Sequence, residues 1–119
     1  MIRIKSVYDP PEPDDGVRYH VDRLWPRGMK KEALQMSGWL KEVAPSSDLR
    51  RWYGHDPAKW EEFCRRYAAE LVANSAAWQP LLNLARKQDV TLLCSAHDIK
   101  HSNAMLLMLF LEANLNDGS

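Results

Sequence analysis

Three segments of the chain place their apolar residues as β-strands do. In residues 2–5 and again in residues 17–22, apolar and polar positions alternate one by one. An alternation with a period of two predicts a strand with one buried face. Residues 90–94 (Val-Thr-Leu-Leu-Cys) are almost continuously apolar, which predicts a strand that is covered on both faces.

Between the second and third of these segments, and after the third, apolar residues follow the spacing of α-helices. The clearest helix begins at Asp56-Pro57, a capping residue followed by proline. Its apolar residues recur every three or four positions on one side: Trp60, Phe63, Cys64, Tyr67 and Leu71. Other helices are predicted at residues 30–34, 47–53, 78–87 and 99–115, and the last four residues are expected to fray.

The order of these elements predicts an α/β fold. Residues 9–16 hold three prolines and no helical pattern, so they cannot form the helical crossover that usually joins parallel strands. The first strand is therefore predicted to be antiparallel or to lie at an edge. The helices between the second and third strands make those two strands parallel. We predict one domain over residues 1–119, a small three-stranded, mostly parallel sheet packed by four to five helices.

Polar residues collect where the two parallel strands end. Asp22 and Arg23 follow the second strand, and residues 95–98 (Ser-Ala-His-Asp) follow the third. Ligands of open α/β sheets bind outside the carboxyl ends of the strands. We therefore expect these two segments to meet at one cleft, which is the predicted site.

The overall composition narrows the choice of function. Hydrophobic residues make up 45% and charged residues 27% of the chain, and the formal net charge is +0. A domain whose whole surface binds nucleic acid usually carries a basic excess, so the composition argues against that class and leaves a local basic cluster open. No apolar run is long enough to span a bilayer, and no signal-peptide pattern is present. Cys64 and Cys94 show no metal-binding spacing, which predicts a reduced, cytoplasmic protein.

The segment after the second strand carries the strongest signal for ligand binding. Arg23, Trp25 and Arg27 lead into a turn that ends at Gly28. Two guanidinium groups beside a turn suit an anion, and an indole ring suits a stacked base. The alternative is that Asp22 and Arg23 form salt bridges that lock the turn, while Trp25 packs on a helix.

A second basic and aromatic patch is predicted at Arg50, Arg51 and Trp52. Arginines interleaved with aromatic rings suit phosphate groups and stacked bases. The alternative is a helix end with solvated arginines and with Trp52 in the core. Ser95 adds a hydroxyl at the end of the third strand. The candidates for proton transfer are Asp22, His55 and His101.

The residues after the third strand leave two further functions as alternatives, a metal site and a thiolate nucleophile. His97 and His101 are four residues apart, a spacing shared with zinc-binding helices, although no further ligand motif follows. Cys94 precedes a predicted helix, whose N-terminus would stabilise a thiolate nucleophile. The alternatives are that Asp98 caps the helix and that Cys94 is a small core residue. No glycine-rich phosphate loop is present, and no cofactor or metal is predicted.

Five segments, in order, cover nearly the whole chain with motifs of one family. They are residues 21–28 (VDRLWPRG), 39–46 (WLKEVAPS), 49–57 (LRRWYGHDP), 60–71 (WEEFCRRYAAEL) and 90–104 (VTLLCSAHDIKHSNA). In these motifs the chain resembles the DUF488 family, specifically its YeaO-like branch of small bacterial proteins. The resemblance implies a compact cytoplasmic α/β domain, and it implies no particular reaction because the family has no assigned activity.

The chain departs from the broader DUF488 family at two of that family's motifs. That family has a cysteine, alanine, glutamate motif after the last strand and a Cys-His-Arg motif further on. The resemblance matches Cys94 to the first cysteine, whereas Ala96 stands in place of the glutamate and residues 102–104 (Ser-Asn-Ala) in place of Cys-His-Arg. It therefore argues against two-cysteine redox or metal chemistry in this chain.

These patterns predict a protein that binds a small anionic, phosphate-bearing ligand in the cleft. The residues assigned to charge and stacking are Arg23, Arg27, Arg50 or Arg51, and Trp25 or Trp52. One alternative is a non-catalytic module that binds a short nucleic acid through the basic patch, or a protein, including a second copy of this chain, through the last helix. The other alternative is a metal- or thiol-dependent enzyme that uses Cys94, His97 and His101.

Overall fold

The sheet contains four parallel strands, one more than the sequence patterns predict. A computed structural model describes residues 1–117. Its strands are β1 (Ile2–Ser6), β2 (Val17–His20), β3 (Gly38–Trp39) and β4 (Val90–Cys94). They pair in the order β1-β4-β2-β3, and every pair is parallel. β3 has only two residues, which is too short to produce an alternating pattern.

The first strand lies at an edge of the sheet, as predicted, but the antiparallel alternative is wrong. β1 runs parallel to β4, and residues 7–16 cross β4 to reach β2. This crossing segment contains no α-helix, only a 3-10 turn at Pro13–Asp15. Side chains of the sheet form hydrogen bonds with polar groups of this segment instead. For example, the Thr91 hydroxyl donates to the Asp15 carbonyl oxygen at 2.8 Å.

A buried ion cluster holds the crossing segment against the sheet. The Asp15 carboxylate, with a side chain only 4% exposed, accepts hydrogen bonds from Lys5 Nζ at 3.0 Å and from Arg18 Nη1. Burial by itself would raise the pKa of Asp15, but the Glu12 backbone N–H and the two cations outweigh burial and lower this pKa. The crossover is therefore stabilised by charge pairing where a helix would normally bury apolar surface.

Helices cover one face of the sheet, and loops cover the other. The helices are α1 (Ser47–Tyr53), α2 (Trp60–Val72), α3 (Ser75–Ala85) and α4 (Asn103–Asp117). They form the main core with Val90, Leu92 and Cys94 of β4. On the opposite face, Leu93 packs with Val7 and Leu34. β4 is thus buried on both faces, as its continuous apolar sequence predicts.

The helix ends follow the capping residues in the sequence. The Ser46 hydroxyl oxygen accepts a hydrogen bond from a backbone N–H of α1, and Gly54 ends this helix with φ +55°. The helix predicted from Asp56-Pro57 begins as a 3-10 turn, Pro57–Lys59, which leads directly into α2. α1 therefore ends only a few residues before α2, and this short connection faces the predicted site.

The last helix, α4, packs against β1, β4, α2 and α3. Its predicted start at residue 99 is a separate 3-10 turn, Ile99–His101. Leu109 is 50% exposed, whereas Leu107 and Leu111 are fully buried. Residues 116 and 117, which were expected to fray, still belong to the helix, and residues 118 and 119 lie outside the described part. None of the helices in residues 1–117 has the length and apolar character to cross a membrane.

Candidate functional site

The two strand ends meet, as the sequence predicts. Asp22 follows β2, and its Oδ2 accepts hydrogen bonds from both the backbone N–H and the hydroxyl of Ser95, which follows β4, each at 2.9 Å. A cavity of about 450 Å³ opens beside this contact, and we call it the cleft. It is lined by most of the predicted site residues: Asp22, Arg23, Trp25, Arg27, Arg50, His55, Ser95 and His101.

The three arginines of the cleft differ in how they are held. Arg23 donates from Nε to the Pro45 carbonyl oxygen at 3.0 Å and from Nη2 to the Ala44 carbonyl oxygen at 3.3 Å. These two bonds orient its guanidinium group and leave Nη1 available. The salt bridge expected of a purely structural Arg23 is absent among the described residues, since its partners are neutral carbonyl groups.

Arg27 and Arg50 have no such partners. Within the described residues, neither side chain forms a hydrogen bond or an ion pair, and Nε of Arg50 is buried without an acceptor. Asp22 is the single carboxylate that lines the cleft in the described part of the chain. Three guanidinium charges against one carboxylate give the cleft a formal charge of +2 before its two histidines are counted. The cleft therefore favours anions.

Two histidines line the cleft, and both lie near Tyr53. Nδ1 of His101 is 2.6 Å from Asp98 Oδ2, and this contact lowers the pKa of the Asp98 carboxyl. Burial raises the pKa of the Tyr53 hydroxyl to about 12, so the hydroxyl stays protonated and donates to the His101 carbonyl oxygen at 2.7 Å. The His55 ring lies 6.3 Å from that of Tyr53. Tyr53 thus links α1 to the segment after β4.

Trp25 is fixed before any ligand arrives. Its indole Nε1–H donates to the Met29 carbonyl oxygen at 2.7 Å. Its ring packs edge-on against His20, with centroids 5.9 Å apart, and against Trp39, with centroids 5.5 Å apart. The alternative in which Trp25 packs on a helix is wrong, because the partners of its ring and N–H belong to β2, β3 and the loop. Trp25 nevertheless lines the cleft and is half-buried.

The second basic and aromatic patch does not form one surface, which corrects the sequence prediction. Arg50 lines the cleft, whereas the neighbouring Arg51 is 63% exposed and pairs with Asp48 on the outer side of α1. Trp52 packs beneath the Arg66 guanidinium group, 4.2 Å from the ring centroid, and near Lys59. The residues diverge because successive positions on a helix point in different directions.

The structure does not assemble the residues of the metal alternative. His97 is exposed and lies outside the cleft, and it precedes the 3-10 turn Ile99–His101. His97 and His101 therefore do not share the face of an α-helix, which the zinc spacing requires. No group of three or more His, Cys, Asp or Glu side chains suited to a metal occurs in the described residues.

Cys94 is a core residue and not part of the cleft. Its side chain is fully buried at the end of β4. Burial raises the pKa of its thiol to about 11, and the nearby Asp22 adds to this shift. A thiol with this pKa stays protonated at neutral pH, so it is a poor nucleophile.

Several residues that line the cleft have no sequence signal of their own. Leu24, Pro45, Tyr53 and Phe63 contribute its apolar part. Tyr53 and Phe63 stack on each other with centroids 4.2 Å apart, and helical periodicity alone would place both in the core. Ala96, Ser102 and Asn103 also line the cleft, at positions where the resemblance places Glu, Cys and His in the broader family.

Comparisons with known proteins agree with the sequence motifs. A family model described as the inactive DUF488-N3 subclade matches residues 1–119. The uncharacterised protein YeaO of Escherichia coli K12 is 40% identical over 112 residues, which cover 94% of this chain and 97% of YeaO. An uncharacterised protein of Mycobacterium tuberculosis H37Rv is 40% identical over 110 residues, 92% of each chain. No solved structure matches the chain significantly.

Proposed function

The chain belongs to the DUF488 family, and we propose that it binds a small anionic, phosphate-bearing ligand in the cleft. The observation that carries the proposal is that none of the three cleft guanidinium groups is paired with a carboxylate in the described residues. Arg50 has no hydrogen-bond or ion-pair partner among the described residues, and its Nε is buried. An unpaired buried donor costs about 1–3 kcal/mol, so an anion that engages this guanidinium group would remove a cost.

The charge of the cleft suits a phosphate monoester. The formal charge of +2 from Arg23, Arg27, Arg50 and Asp22 complements the charge of about −1.5 to −2 on such a group at neutral pH. Planar guanidinium groups also bind phosphate oxygens in pairs. Arg23 is already oriented by two carbonyl oxygens, which reduces the entropy lost when it binds an anion.

The proposed activity is binding without catalysis. The matching family model is described as inactive, and the cleft holds Ala96, Ser102 and Asn103 where the broader family has side chains able to transfer protons or attack a substrate. Cys94 is buried and protonated. On this proposal His55 and His101 contact the ligand as hydrogen-bond partners rather than as catalysts. We also place the protein in the reducing cytoplasm, which is supported by the unpaired state of Cys64 and Cys94.

The proposal is tested by comparing two neighbouring arginines of α1. Titration calorimetry with a panel of phosphorylated metabolites and inorganic phosphate identifies the best binder of the unmodified protein. Arg50→Gln is expected to weaken that binding by about 10- to 150-fold, the effect of losing a charge-assisted hydrogen bond. Arg51→Gln is the matched control, because Arg51 lies outside the cleft and pairs with Asp48. Equal affinities of the two variants, or no binding by the unmodified protein, would contradict the proposal.

A further inference from the structure

The cleft is larger and more apolar than a phosphate group requires. Its volume of about 450 Å³ lies within the range of about 300–1,000 Å³ that is typical of sites for small organic molecules. Inorganic phosphate is too small to fill most of this space, and it has no carbon atoms that could cover an apolar wall. The wall that phosphate would leave uncovered is apolar and includes Leu24, Trp25, Pro45 and Ala96.

Two of these apolar residues stand out because they are available before binding. Leu24 is 56% exposed although it is a large aliphatic residue, and it lies at the rim of the cleft. Trp25 is half-buried, its N–H donates to the Met29 carbonyl oxygen, and its ring makes T-shaped contacts with His20 and Trp39. A ring that is held in place by its neighbours loses little conformational entropy when a ligand stacks on it.

We propose that the ligand is a phosphate monoester that carries a flat aromatic or heteroaromatic group, as a nucleoside monophosphate does. This inference rests on the proposed function and adds the part of the ligand that the arginines do not explain. The phosphate binds Arg23, Arg27 and Arg50, and the flat group packs between Trp25 and Leu24. Stacking on an aromatic ring tolerates different bases, because every base has a π-face.

The sequence motifs and the carboxylates of the described residues favour a monoester over a di- or triphosphate. Proteins hold the metal-bound phosphate chain of a nucleoside triphosphate with a glycine-rich loop and with carboxylates that bind Mg²⁺. The sequence has no such loop, and the described residues contain no carboxylate cluster suited to a metal. Asp22, which is the single carboxylate of the cleft in the described part of the chain, already accepts two hydrogen bonds from Ser95.

The test compares ligands that differ only in the flat group. Adenosine 5′-monophosphate, ribose 5-phosphate and inorganic phosphate are titrated into the full-length protein, and dissociation constants are measured by calorimetry. The nucleotide is expected to bind about 5- to 150-fold more tightly than ribose 5-phosphate, as one stacked base provides. Equal affinities for these two compounds would overturn the inference. A 5′-phosphorylated oligonucleotide that binds as tightly as the nucleotide supports the same chemistry and identifies a nucleic-acid end as its source.

Variants assign the effect to the apolar wall. Trp25→Ala is expected to remove the advantage of the nucleotide over ribose 5-phosphate, measured as the ratio of the two dissociation constants in the same variant. Because Trp25 packs against Trp39 and His20 and its loss could prevent folding, Leu24→Ser at the exposed rim provides a second variant, with a smaller loss in the same direction. Trp52→Ala is the control, since Trp52 lies outside the cleft. A nucleotide advantage that persists in Leu24→Ser and in any folded Trp25→Ala would overturn the inference.

The outcomes also separate this inference from the proposed function. If ribose 5-phosphate binds in a manner that depends on Arg50 but the nucleotide binds no better, the proposed anion site is supported and the inference of a flat group on the ligand is wrong. If none of the phosphate compounds binds, the proposed function fails, and this inference fails with it.

Discussion

Among the arginines of the cleft, the surrounding backbone decides which side chain is held and which is free. The carbonyl groups of Ala44 and Pro45 face Arg23 and orient it, whereas no acceptor in the described residues faces the side chains of Arg27 and Arg50. Substituting Arg23 would therefore affect both folding and binding. For this reason Arg50, and not Arg23, is the residue whose loss reports on binding alone.

His55 is the one non-glycine residue with a positive φ in the described chain, at +58°. It follows Gly54, which has φ +55°, so two consecutive left-handed residues end α1 and turn the chain toward the cleft. A left-handed conformation costs a residue with a Cβ roughly 1–2 kcal/mol. The His55 side chain is exposed and lines the cleft, which is consistent with strain that is retained for binding.

We predict that His55→Gly stabilises the protein and weakens ligand binding. Relief of the backbone strain outweighs the greater flexibility of glycine in the unfolded chain, so the free energy of unfolding should rise by about 0.5–1 kcal/mol. Chemical denaturation measures this change. Gly54→Ala is the reciprocal control and should destabilise by about 1 kcal/mol, because alanine resists the same φ. If both substitutions destabilise the protein, His55 is not strained.

At the scale of an element, the crossing segment of residues 7–16 shows how a parallel connection forms without a helix. Its residues bury little apolar surface, and three of them are proline. Asp15 compensates by pairing with Lys5 and Arg18 on the face of the sheet, while Thr91 holds its carbonyl group. Gly16 lets the chain enter β2, since a Cβ there would lie 2.0 Å from the Asp89 carbonyl oxygen. The connection thus depends on polar contacts that break when charge is lost.

We therefore predict that Asp15→Asn lowers the free energy of unfolding at pH 7 by about 3 kcal/mol. This value is the lower end of the range for breaking a buried ion pair, because Lys5 keeps Glu12 as a partner. Asp14→Asn is the control, since the adjacent Asp14 side chain is exposed and forms no ion pair in the described residues. A loss of stability that is the same for both variants would show that the cluster has no role.

The same cluster predicts a pH dependence with a definite sign. The pKa of Asp15 is lower in the folded protein than its ordinary value, which is about 3.9 in an unfolded chain. Its contribution to stability is therefore complete above about pH 5 and is lost progressively as the pH falls through the unfolded-state pKa and then the folded-state pKa. Denaturation curves between pH 2 and pH 7, roughly the range of carboxyl titration, should show that Asp15→Asn and the unmodified protein converge in acid. A constant difference across this range would contradict the assignment.

At the scale of the whole molecule, the cleft exists because three distant segments meet where β2 and β4 end. Asp22 joins the end of β2 to Ser95 at the end of β4. Tyr53 joins α1 to the segment after β4 by donating to the His101 carbonyl oxygen. Arg23 joins the end of β2 to the backbone before α1. The charged groups of the cleft therefore depend on contacts that also hold the fold together.

Asp22 provides a test of how these contacts and the charge of the cleft act together, because its negative charge opposes anion binding whereas its two hydrogen bonds hold the cleft in shape. Asp22→Asn keeps an acceptor for Ser95 and removes the negative charge, so it should strengthen phosphate binding with little effect on stability. Asp22→Ala removes the contact between the strand ends and should cost about 1–3 kcal/mol of stability. Calorimetry and denaturation measure the two effects. If Asp22→Asn instead weakens binding, Asp22 contacts the ligand as a base, as the proton-transfer hypothesis requires.

The sequence alone was sufficient where the signal is local or follows from parallel strands. Alternation identified β1 and β2, a continuous apolar run identified β4, and the residues after β2 and β4 were sufficient to place the cleft. Capping residues at Ser46 and Gly54 bounded α1. These features depend on neighbours in the chain, or on the rule that parallel strands end on the same edge, and both can be read without coordinates.

Only the tertiary structure decided which residues face the cleft and how they are paired. Arg50 and Arg51 are adjacent and chemically identical in the sequence, yet one lines the cleft and the other pairs with Asp48. The crossing of residues 7–16 depends on Asp15 meeting Thr91, which is 76 positions away in the chain. The physical reason is that hydrophobic periodicity records only which face of an element is buried, whereas the orientation of polar side chains on a short helix and the contacts between distant segments are set by tertiary packing.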